Sequence, residues 1–300
     1  MVGEINTDLQ SRLSKFFSLL GKKENIMEHS KEEWQDVDDF DDPKEFADYL
    51  DANTAQNAVK RYKKKTYQLL NIANGSSVLD IGCGTGDDVL AMAELVGPNG
   101  KVVGIDKSKS LIEEANDRSN LEQVPVQFQI GDIHKLDFAD NTFDGCRADR
   151  LFQHLHDRQH ALFEMIRVTR PGGRIVVMDP DWDTMIFEAP SRDLTRNIIN
   201  NHIDQLVLNP WCGRESYKLF QKAGLKNVAV ADTVTLVLTD FSTANQLWFI
   251  DKAVKLIIEE KPSLADKVKS WVSYLKQADD EGFFFGAVTG FTVVGEKSSS

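Results

Sequence analysis

Between Ser76 and Asp179 five short strand-like runs follow one another: S-V-L-D-I, K-V-V-G-I-D, V-Q-F-Q-I-G-D, F-D-G-C-R-A-D and R-I-V-V-M-D. Segments with apolar residues at helical spacing lie between most of them, including D-D-V-L-A-M-A-E-L-V, S-L-I-E-E-A-N-D-R and R-Q-H-A-L-F-E-M-I-R-V-T. Gly97-Pro98 and Pro171-Gly172-Gly173 punctuate the pattern, since neither residue type extends a helix. Strands that alternate with helices form a mostly parallel sheet covered on both faces. Apolar strand cores agree, because such strands are buried on both sides. The alternation predicts an α/β, doubly wound architecture.

The rhythm loosens after Asp179. Helical patterns cover about 191–208 and 213–223, a long strand runs over 226–238, and helical segments follow at about 242–260 and 263–278. A final long strand, G-F-F-F-G-A-V-T-G-F-T-V-V-G-E, is expected to pair with the preceding one at a sheet edge. The expected organisation is an N-terminal extension, partly flexible, over 1–42 and a helical lid over 43–75. A ligand-binding core spans 76–240 and 282–296, interrupted by a helical insertion at 241–281. In the lid, Pro43 opens one helical segment reaching about Ile72.

Charge and cysteine usage exclude several classes. A formal charge of −12 argues against a broad nucleic-acid face, which needs basic groups to neutralise phosphates. The acidic run from Asp36 to Asp42 lacks calcium-loop spacing and reads as a solvated linker, so no metal is expected. The 3 cysteines, Cys83, Cys146 and Cys212, form no C-x-x-C pair; reduced thiols in a cytoplasmic protein are the expectation. F-F-S-L-L near the start is too short to span a bilayer.

The first strand runs into a glycine loop, V-L-D-I-G-C-G-T-G. In open α/β sheets ligands bind beyond the carboxyl ends of the strands, where this turn lies. Gly82, Gly84 and Gly86 permit left-handed backbone and leave no Cβ to block a ligand. A dinucleotide fingerprint needs a third glycine where Asp87 stands, and no lysine follows Gly86 as a P-loop requires. Asp87 and Asp88 open the next helix, where two carboxylates suit its dipole but repel a pyrophosphate. Asp106, ending the second strand, can accept from both hydroxyls of a ribose. Asp132, ending the third, can accept an adenine amino group, with the Ile133 N–H serving a ring nitrogen. A ribose and an adenine without phosphates are required, and S-adenosylmethionine fits.

V-L-D-I-G-C-G-T-G, G-I-D, G-D-I and E-M-I-R-V-T-R-P-G-G-R-I-V-V-M-D together resemble the class I S-adenosylmethionine-dependent methyltransferases. The flavour is the small-molecule branch that includes ubiquinone and menaquinone biosynthesis. The resemblance is close over about residues 76–180. It implies a seven-stranded sheet whose last strand runs antiparallel beside the fifth, an N-terminal helical lid and helical insertions. Its cofactor would be S-adenosylmethionine, and its partner a small-molecule methyl acceptor. By this resemblance Gly82 and Gly84 lie along the methionyl part, and Asp80 holds the loop and meets the cofactor ammonium. A carbonyl near Arg147 or Ala148 accepts from the same ammonium, and Asp106, Asp132 and Ile133 match the ribose and adenine contacts. Lys107 stands where an apolar residue is usual, its stem covering the ring. Arg61 of the lid would meet the methionyl carboxylate, with Tyr49 closing the same lid.

On the acceptor side, His154 in D-R-L-F-Q-H-L-H-D is the candidate base or acceptor contact, and His156 a second. Arg150 either binds a substrate anion or pairs with Asp149 or Asp157. Asp179, Asp181 and Asp183 in D-P-D-W-D-T favour an amine-bearing or cationic acceptor walled by Trp182 and Trp211. Alternatively, Asp181 caps a turn and Trp182 packs under the helical cap. The expected chemistry is in-line methyl transfer. A nicotinamide oxidoreductase and a non-catalytic S-adenosylmethionine-binding module are the rival readings.

Overall fold

The computed structural model describes Asp38 and residues 43–122 and 126–299. Its centre is one seven-stranded sheet in the order β3-β2-β1-β4-β5-β7-β6. The strands are β1 (Ser77–Ile81), β2 (Lys101–Asp106), β3 (Val126–Ile130), β4 (Phe143–Asp149), β5 (Thr169–Phe187), β6 (Lys226–Leu238) and β7 (Gly286–Glu296). β1 to β5 pair in parallel, and β7 runs antiparallel between β5 and β6. Chain order reverses at β1, which pairs with β2 on one side and β4 on the other. That switch point opens a crevice at the strands' carboxyl ends.

Both sheet faces are covered. α1 (Pro43–Thr54) and α2 (Asn57–Leu69) precede β1, and α3 (Asp87–Val96) and α4 (Lys109–Glu122) follow β1 and β2. Tyr67, Val89, Met92, Val96 and Ile112 of these helices pack with Val78, Val102 and Phe128 of the sheet. On the other face α5 (Arg158–Val168) and α7 (Cys212–Lys222) bring Leu162, Met165 and Phe220 against Leu79, Val103, Ile175 and Val293. α6 (Arg192–Leu206), α8 (Phe241–Trp248), α9 (Ile250–Glu260) and α10 (Ala265–Asp280) form a separate apolar cluster over Phe284 and Val288. Side chains stop the helices from fraying: Asp157, Ser191 and Asp240 accept N–H bonds at the starts of α5, α6 and α8.

Three expectations change. The 43–75 segment holds two helices, because the chain is extended at Gln56 after the poor helix formers Asn53 and Thr54. The 242–260 segment likewise breaks at Phe249, which takes a left-handed φ of 53° between α8 and α9. β5 does not stop at Asp179; paired to β7, it continues to Phe187 with an irregularity after Asp181. Of the acidic run, Asp38 is the described member, and it docks. It accepts from Lys109 N (2.7 Å) and Ser110 N (3.0 Å), N–H groups left open at the start of α4. Burial opposes its charge, yet the bonds from Ser110, Ser108 and Lys109 hold its carboxyl down at about 2. The rest of the N-terminal extension, F-F-S-L-L included, lies outside the described residues. No helix among the described residues is long and apolar enough to cross a membrane.

Gly86 carries a strong steric constraint. Its φ is 86°, and a Cβ there would fall 2.7 Å from the Phe128 ring and 3.0 Å from Ala115. Gly86→Ala is expected to destabilise the protein by about 1–3 kcal/mol, from backbone strain plus overpacking. Urea unfolding with an unchanged m-value checks this; an unaltered midpoint refutes it.

Candidate functional site

A cavity of about 410 Å³ opens where the sheet reverses, roofed by α1, α6 and the α8–α9 junction. Its two halves differ chemically.

The first half is built on the glycine loop. Gly82 and Gly84 have φ of 70° and 53°, so both need the freedom that lets backbone face the cavity. The loop is pinned by Gly82 N and Cys83 N donating to Ile105 O (2.8 and 2.9 Å). Gly84 N donates to Asp106 Oδ2 (2.9 Å), and Ser108 N donates to Asp106 Oδ1 (3.0 Å). The Lys107 N–H also reaches this carboxylate, which keeps capacity for a further donor. Burial pushes Asp106 up, and these backbone N–H groups pull against it. A Cβ at Gly82 would crowd Leu151 at 3.1 Å, and one at Gly84 would crowd Leu50 at 3.0 Å. The strip between those side chains therefore takes only bare backbone. Lys107, Asp132 and Ile133 line the far end. Asp132 Oδ1 accepts from His134 N and from its ring Nδ1, both at 2.9 Å. Those bonds lower the Asp132 pKa despite the opposing effect of burial.

Asp80 and Arg147 do not line the cavity; they lie beneath it. Arg147 is buried, its Nη1 donating to Asp80 (2.8 Å), its Nη2 to Asp149 (2.9 Å) and its Nε to Thr66 Oγ1 (2.8 Å). Asp88 lies 3.3 Å from Arg147, accepts from Lys63 at 2.5 Å and also accepts from the Tyr67 hydroxyl. The acid before the loop is thus the ion-pair partner of a buried arginine rather than a wall of the cavity. Ala148 is also absent from the wall; the end of β4 reaches it two residues further on, at Asp149 and Arg150. Arg61 is exposed on α2, whereas Lys63, two residues on, is buried and lines the cavity. Two residues turn a helix through about half a circle, so a basic run points cations both ways. Asp88 is matched by Lys63 and Arg147, and Asp87 by Arg118 (3.1 Å). Phosphate exclusion thus rests on the loop spacing more than on bare repulsion at the helix start.

The second half is largely apolar. Tyr49 stacks on Phe249 at 5.4 Å between ring centroids, and Leu155, Trp182, Ile203, Leu206, Leu247 and Trp248 complete much of the wall. Trp182 Nε1 donates to Gln153 Oε1 (2.7 Å), which fixes its ring. Arg150, His154, His156 and His202 are the basic groups here. Burial, reinforced by the Arg150 charge, pushes His154 down to about 3.

Asp179, Asp181 and Trp211 are not in the wall. Because β5 continues past Asp179, its side chains alternate. Asp179 and Asp181 share the face under α7, while Trp182 turns to the cavity. Arg214 of α7 forms a bidentate pair with Asp181 and lies 3.6 Å from Asp183. Trp211 is half exposed, its ring 5.3 Å from the Arg214 guanidinium. The carboxylates that suggested an amine-bearing acceptor are occupied elsewhere. The signal for the missed apolar wall lay in α6 and α8, whose buried faces read as ordinary helix cores. Among the described residues no His, Cys, Asp or Glu cluster could hold a metal.

Asp179 has a measurable consequence. It is fully buried and accepts from Gln153 N (3.2 Å). Burial pushes its carboxyl up to about 8. An unfolded aspartate titrates near about 3.9, so the folded state keeps a proton that the unfolded chain releases. Stability from this group is therefore complete below the unfolded value and is lost as pH rises through the folded one. Asp179→Asn should lose less stability than wild type between about pH 5 and about pH 9 in urea unfolding. Parallel pH curves would refute this.

Comparison with known proteins agrees with the site. A family model described as a methyltransferase domain matches residues 72–224, half of the chain. An uncharacterized 37.1 kDa protein of transposon TN4556 from Streptomyces fradiae is 35% identical over 251 residues, 83% of this chain and 70% of that protein. A demethylmenaquinone methyltransferase from Bacillus cereus is 34% identical over 161 residues, 53% of this chain and 68% of the relative. The structure of YcgJ from Bacillus subtilis, at 21% identity, shares the fold with a TM-score of 0.55, covering 80% of this chain and 100% of that one. With a methyltransferase-domain match over half of the chain and a seven-stranded sheet in the order β3-β2-β1-β4-β5-β7-β6, the chain belongs to the class I S-adenosylmethionine-dependent methyltransferases.

Proposed function

We propose that the protein methylates a small, largely apolar, ring-bearing acceptor. The observation that carries this is the second half of the cavity. Tyr49, Trp182, Trp248 and Phe249 face it, and the acid at its edge, Asp149, is already paired with Arg147 and lies 3.7 Å from Lys63. A cationic acceptor would find aromatic faces there but no unpaired counter-ion, and the neighbouring Arg150 would repel it. The likeness to a demethylmenaquinone methyltransferase, over about half of the chain, supports an apolar acceptor of that general kind.

On this reading Gly82 and Gly84 carry the methionyl part along their backbone, and Asp106 takes the ribose hydroxyls. Asp132 and Ile133 take the adenine edge, with the stem of Lys107 at the rim. Arg61 faces away, and the cation that does line the cavity, Lys63, is already paired with Asp88 and lies 3.7 Å from Asp149. When bound, S-adenosylmethionine supplies an electrophilic methyl group on a sulfonium. The chain's own task is to bring the acceptor atom in line and exclude water. Tyr49 and Leu50 of α1 close over the strip, and the apolar wall keeps water out. His154 is neutral above about pH 3, so it offers a hydrogen-bond acceptor but little basicity. It positions the acceptor rather than removing its proton.

Calorimetry should give heat with S-adenosylmethionine and none with NADH. Asp106→Ala should weaken the former at least about tenfold, since two charge-assisted bonds are lost. Heat with NADH alone would favour an oxidoreductase; binding without turnover across the screen would favour a non-catalytic module. A methyl-transfer screen should give turnover on phenols and other ring-bearing apolar acceptors, and turnover on amines alone would overturn the acceptor class. His154→Gln should lower kcat by less than about tenfold, without a pH break of its own. A loss of about a hundredfold or more would identify a true general base.

A further inference from the structure

We propose that Arg150 binds an oxyanion on the methyl acceptor, so that the enzyme selects acceptors carrying an ionised hydroxyl or carboxyl group. This rests on the methyltransferase reading above and names the chemistry of its acceptor.

Arg150 follows the last residue of β4 and faces the cavity. Its backbone is left-handed, with φ of 54°, a conformation costly for a side chain with a long stem. That conformation is held from both sides: Arg150 N donates to Met178 O (2.7 Å), and Gln153 Nε2 donates to Arg150 O (3.1 Å). The strain aims a cation into the cavity.

The charges around it leave that cation open. Asp80, Asp88 and Asp149 lie nearby, but all three are engaged by Arg147, and Lys63 shares Asp88 and lies 3.7 Å from Asp149. No described carboxylate lies within ion-pair distance of Arg150, and its buried Nε has no hydrogen-bond partner. The Tyr49 hydroxyl hydrogen-bonds to the guanidinium and the Tyr62 hydroxyl lies close by, so its present partners are neutral. A second cavity of about 70 Å³ lies on its other side, lined by Val59, Met178, Pro180, Leu236 and Val288. An apolar annex on one side and an aromatic wall on the other leave a guanidinium poorly served by water. A half-buried guanidinium whose Nε is buried without a partner calls for one. A planar oxyanion matches the fork of donors. It would also offset the positive charge of the methyl donor.

Phenolates and carboxylates share this chemistry, and the test separates them. The probes are 4-nitrophenol, whose ionised form absorbs in the visible, benzoate, and neutral nitrobenzene as isostere. Wild type mixed with 4-nitrophenol below the probe's own pKa should show the absorbance of the phenolate. Arg150→Asn tolerates the left-handed backbone and removes the charge. It should abolish that signal and weaken 4-nitrophenol binding at least about tenfold, leaving nitrobenzene binding within about twofold. Arg150→Lys should retain part of the signal. Benzoate binding that depends on Arg150, without a phenolate signal, assigns the site to carboxylates. If neither anion depends on Arg150 while S-adenosylmethionine still binds wild type, this proposal is wrong and the methyltransferase reading stands. Failure of S-adenosylmethionine to bind wild type would instead remove the reading beneath it.

Discussion

At the centre of the sheet Arg147 lies opposite Asp80, in register across β1 and β4, with almost no access to water. A guanidinium in such a place is costly unless its donors are met, and here they are met by Asp80, Asp149 and Thr66. The pair does more than neutralise itself. Thr66 and Lys63 come from α2, Asp88 from the first turn of α3, and Asp149 from the end of β4. One buried cluster therefore fixes the lid helix, the helix after the glycine loop and the strand that carries Arg150. Removing one member would strand the others in low dielectric, which makes the arrangement cooperative.

The crevice is built outward from that anchor. The glycine loop follows Asp80 directly, and Asp106 holds it from the neighbouring strand through Gly84. Rigidity there suits a donor site, where bare backbone must approach the ligand closely. The acceptor half is made differently, from side chains of α1, α6 and the α8–α9 junction. These elements pack as their own apolar cluster, apart from the glycine loop.

Much of the cavity wall around the glycine loop is legible in the chain. Gly82, Gly84, Asp106, Lys107, Asp132 and Ile133 are local features of strand ends, and each lines the cavity as expected. Tyr49, Arg150, His154 and Trp182 were also reached, though without their partners. Asp80 was misplaced because its role depends on Arg147, 67 residues away, which no spacing rule joins to it. Arg61 was preferred to Lys63 because a basic run does not reveal which of its cations faces inward. Asp179 and Asp181 look like acceptor-side acids in the sequence because nothing local says that β5 runs on to Phe187; pairing with β7 extends it.

The sequence alone determined the alternation of strands and helices, the glycine strip, the acids at the ends of β2 and β3, and hence the kind of methyl donor. Those are properties of short segments, set by propensity, backbone freedom and the period of apolar residues. Tertiary structure decided which acids are occupied, which cation faces inward and what walls the acceptor. Such properties depend on contacts between distant segments, where burial and a partner's charge decide whether the same aspartate is a ligand, a counter-ion or a protonated core group.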